Sequence, residues 1–588
     1  MAIGASAVSP SVAEPGATAS PPSGDARMNG WRREWPALVA ATLVAAPTLI
    51  AAYPPMTDFP HHEALVALLH NFDDRSLWPP GLYAHNFGQP NQLMHLLAWP
   101  LSYLLPITLA CKIVTAGAAA AVVLGASRLA RYLGASPFLA FAFVPFSLGW
   151  LSNWGLINNL MGLGILFAVL PGVDRFAARP DLRRGVRVIG VALLLYFAHE
   201  LMLFVYLGAL VLFSASRPLR PWRPALARVT PLPLVSALIL GQLRYQRPFL
   251  GPNDLARPTI FDTQWTKLEL LPRNVAGMSD PLPRDAVCGL LLLLLIALLE
   301  ARAKAGAVGR APYDDAAADG PGSSGASLAR AQGWLLAYRF EVLSAGLMGL
   351  YFAVPLSING AFFVYERFLH PALGVMLIAA GARLATTLRP LAKVLAAASA
   401  AAMVFAVWPL YADASRLARD LDELLVMIPK MSAVASIECE GSMRWRPFLA
   451  TGQLSRVLTT RGGRVFFSFT ESAVAPVVLT AEHRWGEVSV RMHDDQRRFV
   501  PSHDFKLFSY VLVHASLPGI QPYLDAALAP EGRFVARVGE WALYRSTLDV
   551  IPIMSQAPAP PEPLPPTFRE RLLAALHPTR REPEAPAP

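Results

Sequence analysis

The chain has 588 residues, of which 54% are hydrophobic and only 16% charged, with a formal net charge of +10. Soluble proteins carry about 25% charged residues, so a wholly soluble fold is excluded. The basic residues fall in short runs between apolar segments, such as Arg183-Arg184-Gly185-Val186-Arg187 and Arg217-Pro218-Leu219-Arg220. These runs are topology and headgroup signals, and with no interleaved basic and aromatic groove no nucleic-acid partner is expected.

Residues 1–30 are rich in Ala, Pro, Ser and Gly and hold no apolar core. They predict a disordered tail and not a signal peptide. Arg27, Arg32 and Arg33 then precede an apolar run from Pro36 to Tyr53. Positive charge stays on the cytoplasmic side, so this first span is expected to exit on the outer face.

The exit carries Thr57-Asp58-Phe59-Pro60-His61-His62-Glu63. Asp58 lies a few residues beyond the span, ahead of a predicted interfacial segment, Glu63 to Phe72. Two readings stand: a solvated helix cap, or a carboxylate placed to reach a lipid-borne substrate and water. If the segment is helical, Asp58 and His62 share a face at the i, i+4 spacing. Oxygen and imidazole donors of this kind suit a divalent metal: Mg2+, Mn2+ or Zn2+. His85-Asn86 with Gln89, Asn91, Gln92 and His95 opens the next apolar segment, as sugar-hydroxyl ligands or as an interfacial polar loop.

A series of apolar segments predicts roughly 10 to 13 spans through 31–411. Val186–Phe213 must cross twice if its two basic flanks are both cytoplasmic, which predicts a break near His199-Glu200. No HExxH follows, since position 203 is Leu; the residues themselves suggest a buried, hydrogen-bonded His at a helix turn. Outer loops are expected at 54–91 and 244–285, the second polar, Pro-rich and led by Arg244. A flexible cytoplasmic loop is expected at 301–332. Tyr365-Glu366-Arg367, with His370 a turn later, sits at the edge of a late span. It offers a guanidinium fork for a phosphate, or only a helix-end pair or a snorkelling side chain.

After Tyr411 the composition turns soluble. A helical run, Asp413 to Ile428, precedes strand-like runs at Val465–Thr470, Pro476–Leu479, Val488–Met492, Tyr510–His514, Phe534–Val538 and Trp541–Tyr544, with a helix at Ile520–Leu528. This predicts an α/β domain over 412–552, of ordinary domain size, and a Pro-rich disordered tail over 553–588. The expected fold class is thus an α-helical polytopic membrane domain with a C-terminal soluble α/β domain. No Walker loop and no GxSxG elbow is present, and Asp420-Leu421-Asp422 lies in a helical run. Nucleotide-sugar and ATP-driven chemistry lose ground on those counts.

Pro54-Pro55-Met56-Thr57-Asp58-Phe59-Pro60-His61-His62-Glu63, Leu101-Ser102-Tyr103 to Ala110-Cys111-Lys112, Tyr365-Glu366-Arg367-Phe368 and the Tyr510-Val511-Leu512-Val513 strand resemble the GT-C superfamily of polytopic glycosyltransferases. That resemblance implies a polyprenyl-phosphate sugar donor, an extracytoplasmic acceptor and inverting transfer at a bacterial cytoplasmic membrane, in cell-envelope synthesis. Asp58 would be the catalytic base. His61, His62, Glu63, His85, Asn91, Arg244, Glu366 and Arg367 would bind substrate, with Asp58 and His62 as metal ligands. Family members often pair the first-loop acid with a second acid. Here its neighbours are histidines, so Glu63 or an acid in Tyr245–Arg284 would serve. A lipid or polysaccharide flippase and a non-catalytic scaffold are the competing classes; no internal repeat supports the flippase.

Overall fold

The computed structural model describes residues 24–218, 221–246, 259–277, 280–308, 324–358, 362–382, 390–439, 452–480, 483, 495–556 and 566–576. The expected tail over most of 1–30, the strand Val488–Met492, the centre of the 301–332 loop and much of 553–588 lie outside the described residues.

Helix α1 (Gly24–Ile50) is followed by α2 (Phe59–His70), strand β1 (Tyr83–His85), α3 (Leu93–Leu101) and α4 (Ile107–Tyr132). Among the described residues, five helices are long and apolar enough to cross a membrane: Ile107–Tyr132, Ile157–Ala178, Trp222–Gln242, Pro281–Ala303 and Pro390–Leu425. A sixth is gained if Arg330–Ala337 and Arg339–Ala353, bent by 78°, count as one span. Glu34–Ile50 and Glu200–Ala215 are shorter apolar helices. The protein is therefore a multi-pass membrane protein, and the larger span number expected from the sequence relies on such short and broken helices. Helix α4 and helix Ile157–Ala178 cross at glycines: a Cβ on Gly125 would meet the Gly164 carbonyl at 2.2 Å. Small residues let two membrane helices approach this closely.

The predicted break is present. Helix Leu182–Ala198 ends at His199, whose backbone is extended (φ −164°, ψ 117°), and a new helix starts at Glu200.

Helix Pro390–Leu425 runs through residues 411 and 412 without interruption and carries the chain from the bilayer into the tail domain. That domain holds a five-stranded sheet of order β3-β2-β5-β7-β6. Its strands are β2 (Ala433–Glu438), β3 (Arg464–Val465), β5 (Tyr510–His514), β6 (Gly532–Val538) and β7 (Trp541–Ser546). β2 pairs in parallel with β3 and β5; β7 pairs antiparallel with β5 and β6. The expected strand Val465–Thr470 is cut short, because Ser468 caps a tight turn at Phe469–Glu471. β4 (Val477–Leu479) leaves this sheet and pairs antiparallel with β1, Tyr83 opposite Leu479. The first outer loop and the tail domain thus share a ladder. They also share an apolar core, in which Leu65, Leu68 and Leu69 of α2 pack with Val434, Leu512 and Leu543.

Candidate active site

The Asp58 loop is gripped from two sides. The Thr57 and Asp58 amides donate to the carbonyls of Asn153 (3.1 Å) and Trp154 (2.9 Å) in the short helix Trp150–Trp154. Gly155 ends that helix at φ +76°, where a Cβ would also meet the Asp58 amide nitrogen at 2.9 Å. Across the loop, a Cβ on Gly452 of the tail domain would meet the Thr57 carbonyl at 2.1 Å. Only glycine suits either position.

Asp58 holds the N-cap position of α2, but its side chain makes no capping hydrogen bond. Its carbonyl accepts from the His62 amide at 3.1 Å; its carboxylate is left unspent. Burial pushes the carboxyl up to about 7, against a smaller downward pull from Arg367. The helix-cap reading fails on this geometry.

Arg367, in the first turn of helix Glu366–Ala380, exerts its charge on Asp58, Glu200 and Glu366. It makes no ion pair among the described residues. Its nearest polar contact is His199 Nε2, 3.4 Å from Nη1. Asn91 fixes the break that carries His199 and Glu200. Its Oδ1 accepts from the Glu200 amide at 3.0 Å, and its carbonyl accepts from Asn158 at 2.5 Å. Asn91 itself sits at φ +62°, a conformation asparagine tolerates better than most residues. Three buried atoms around this arrangement have no hydrogen-bond partner: Arg367 Nε, His199 Nδ1 and Glu366 Oε2. Buried polar atoms without partners are rare, and a bound ligand is one reason for them.

The other expected residues separate. His61 is buried, bonded through Nδ1 to Ser455 Oγ at 2.5 Å and stacked on Phe469. It docks the tail domain. His62 shares a 3.0 Å hydrogen bond with His95, and burial lowers it to about 4, so the pair is neutral at pH 7. Glu63 accepts from Tyr53 at 2.6 Å and from Thr108. Arg456 lies over the Tyr53 ring and pairs with Asp422 at 2.6 Å. Glu63 is therefore engaged in tying the exit of the first span to the start of α4, with the tail domain's Arg456 nearby. Glu200 and Glu366 are the acids that flank Arg367. His85 is exposed at the far end of α2, about 18 Å of helix from Asp58. Arg244 is exposed on the last turn of helix Pro231–Gln246, and no described contact brings it to Asp58.

For the expected Mg2+ or Mn2+ the described residues bring few ligands together. Such ions take several oxygen ligands, whereas His62 is spent on His95. Among the described residues no group of three or more His, Cys, Asp or Glu is placed to hold a metal.

Sequence reasoning missed Glu200 as a member of the site. Its signal was present: an acid beside a helix break inside an apolar run is costly unless used.

Site and scaffold together describe a multi-pass membrane protein with an unspent acid opposite an arginine at the mouth of its first span. The chain is similar to ArnT from Cupriavidus metallidurans in the apo state, with 12% identity over 88% of this chain and 98% of that one and a TM-score of 0.48. It is likewise similar to that protein bound to undecaprenyl phosphate, with 12% identity over 91% and 100% and a TM-score of 0.49. No family model and no curated protein matches the sequence.

Proposed function

We propose that this protein is a GT-C-type membrane glycosyltransferase that moves a sugar from a polyprenyl-phosphate donor to an extracytoplasmic acceptor with inversion. The observation that carries the reading is the Asp58 carboxylate: held by backbone on both sides, without a hydrogen bond among the described residues, and within the charge of Arg367. In the transfer, the acceptor hydroxyl gives its proton to Asp58. Its oxygen forms a bond to C1 of the sugar as the bond from C1 to the phosphate oxygen breaks. The electron pair leaves with the phosphate, beside Arg367, and Asp58 later releases the proton to water. Attack opposite the leaving group inverts C1. A base raised to about 7 is well matched to neutral pH, and a fixed cation at the leaving phosphate lowers the barrier electrostatically. His199 and Glu200 position Arg367; Asn91 holds both in place.

The basic flank before the first span supports a cytoplasmic amino terminus and 301–332 loop, and an extracytoplasmic 412–552 domain. In a background without native cysteines, Arg533→Cys on β6 should label from outside intact cells. Labelling only after permeabilisation refutes this orientation.

The functional test is donor consumption by purified protein. Asp58→Asn keeps the shape and removes the base, and should slow release of polyprenyl phosphate about 10²–10⁴-fold without changing the melting temperature. Parental rates in Asp58→Asn refute the base assignment. Failure of the parental protein to consume any polyprenyl-phosphate sugar refutes the enzyme.

A further inference from the structure

The end of α2 remote from Asp58 opens into a pocket of about 370 Å3. Two ring stacks wall it. In one, Phe72, His85, Phe87 and Trp99 follow one another at centroid distances of 3.8, 5.2 and 5.7 Å and interplanar angles of 19–26°. In the other, Tyr103 stacks on His70 at 4.5 Å. The Trp99 indole N–H donates to the Tyr103 hydroxyl at 3.1 Å and joins the stacks. Between them the turn after α2 brings in Asn71, Asp73 and Asp74.

We infer that this pocket binds a saccharide, and that it holds the glycan part of the acceptor. Its volume falls in the range of small-ligand sites, which combine aromatic walls with a few placed polar groups. The polar groups here are mostly acceptors. His70 is bonded through Nδ1 to Ser102 at 2.9 Å, which leaves Nε2. Asn71 spends its amide N–H on the Ala67 carbonyl, which leaves Oδ1. The Asp73 carboxylate is exposed, and the His85 ring makes no hydrogen bond among the described residues. A polyhydroxylated ring satisfies several such acceptors at once while its carbon face lies on an aromatic ring. A monocation would use one of the two carboxylates and leave the rest idle.

The pocket and Asp58 lie at opposite ends of one 12-residue helix, about 18 Å long. Residues Phe59 to Leu69 of α2 are buried, so the helix sets the separation of the two places and does not line a path between them. Calling the ligand an acceptor rests on the proposed transfer; the saccharide site itself does not.

The full-length protein in detergent can be screened on an array of short neutral, amino and acidic oligosaccharides, with hits titrated calorimetrically. Choline and ethanolamine are the cationic comparators. At least one oligosaccharide class should bind saturably, and Asp58→Asn should bind it equally. Phe87→Ala and Asp73→Asn, both at exposed residues, should each weaken it about tenfold or more. Absence of saccharide binding, response only to choline or ethanolamine, or binding unchanged in both variants overturns the inference. Saccharide binding by a protein that consumes no donor leaves this site standing and refutes the transfer alone.

Discussion

Two acids at opposite ends of one membrane helix differ in how far the fold engages their carboxylates. Asp174 lies near the end of helix Ile157–Ala178, and the Asp58 loop is clamped just before its start; roughly 25 Å of helix lies between. Asp174 is 2% exposed and fully engaged. It accepts from Tyr132 (2.6 Å), Arg217 (2.9 Å) and both Arg339 nitrogens (2.9 and 2.7 Å). Among the described residues the Asp58 carboxylate accepts no hydrogen bond, and its arginine stands off beside His199. The first acid ties three segments of chain together. The second is positioned by its backbone alone, which leaves its lone pairs for a substrate.

This contrast breaks if the two acids respond alike. Asp58→Asn should remove transfer by the factor given above and leave stability alone. Asp174→Ala should do the reverse. It strands two largely buried guanidiniums, a loss of about 3–5 kcal/mol, read as a fall in thermal midpoint with unchanged turnover per folded molecule. Next in size is Arg367→Ala, about 10²–10³-fold in rate if the arginine stabilises the leaving phosphate. Arg367 pulls the Asp58 carboxyl down; its removal lets that carboxyl rise further and moves the acid limb of the rate profile to higher pH. The smallest effect is expected from Ser455→Ala. It deletes the partner of His61 and should cost about 1 kcal/mol, seen in the melt of the tail domain and absent from turnover.

The Asp58 loop, the break at His199 and the strands Tyr510–His514 and Trp541–Ser546 were legible because their signals are local: a polar run after a span, two basic flanks, and short runs rich in valine or aromatic residues. Strand β2 was not. Ala433, Ala435 and Ser436 are weak strand formers, and the segment is held only by neighbours on both sides. The roles of His61 and Glu63 were hidden for a different reason. Their partners Ser455 and Arg456 lie nearly 400 residues away in the chain, and no periodicity reports such a contact. Glu200 was seen as half of a failed metal motif. Its link to Arg367 exists only once two late helices have folded onto the first outer loop.

The most direct test is the pH dependence of kcat/KM for donor consumption between pH 5 and 9. Burial sets Asp58 near 7; the carboxylate that acts as base is depleted as pH falls through that value. The rate should therefore rise to a plateau above an apparent pKa of about 7, and Arg367→Ala should displace this limb upward. A profile flat across neutral pH, or a limb that stays in place when Arg367 is removed, contradicts an unspent Asp58 acting as the base opposite that arginine.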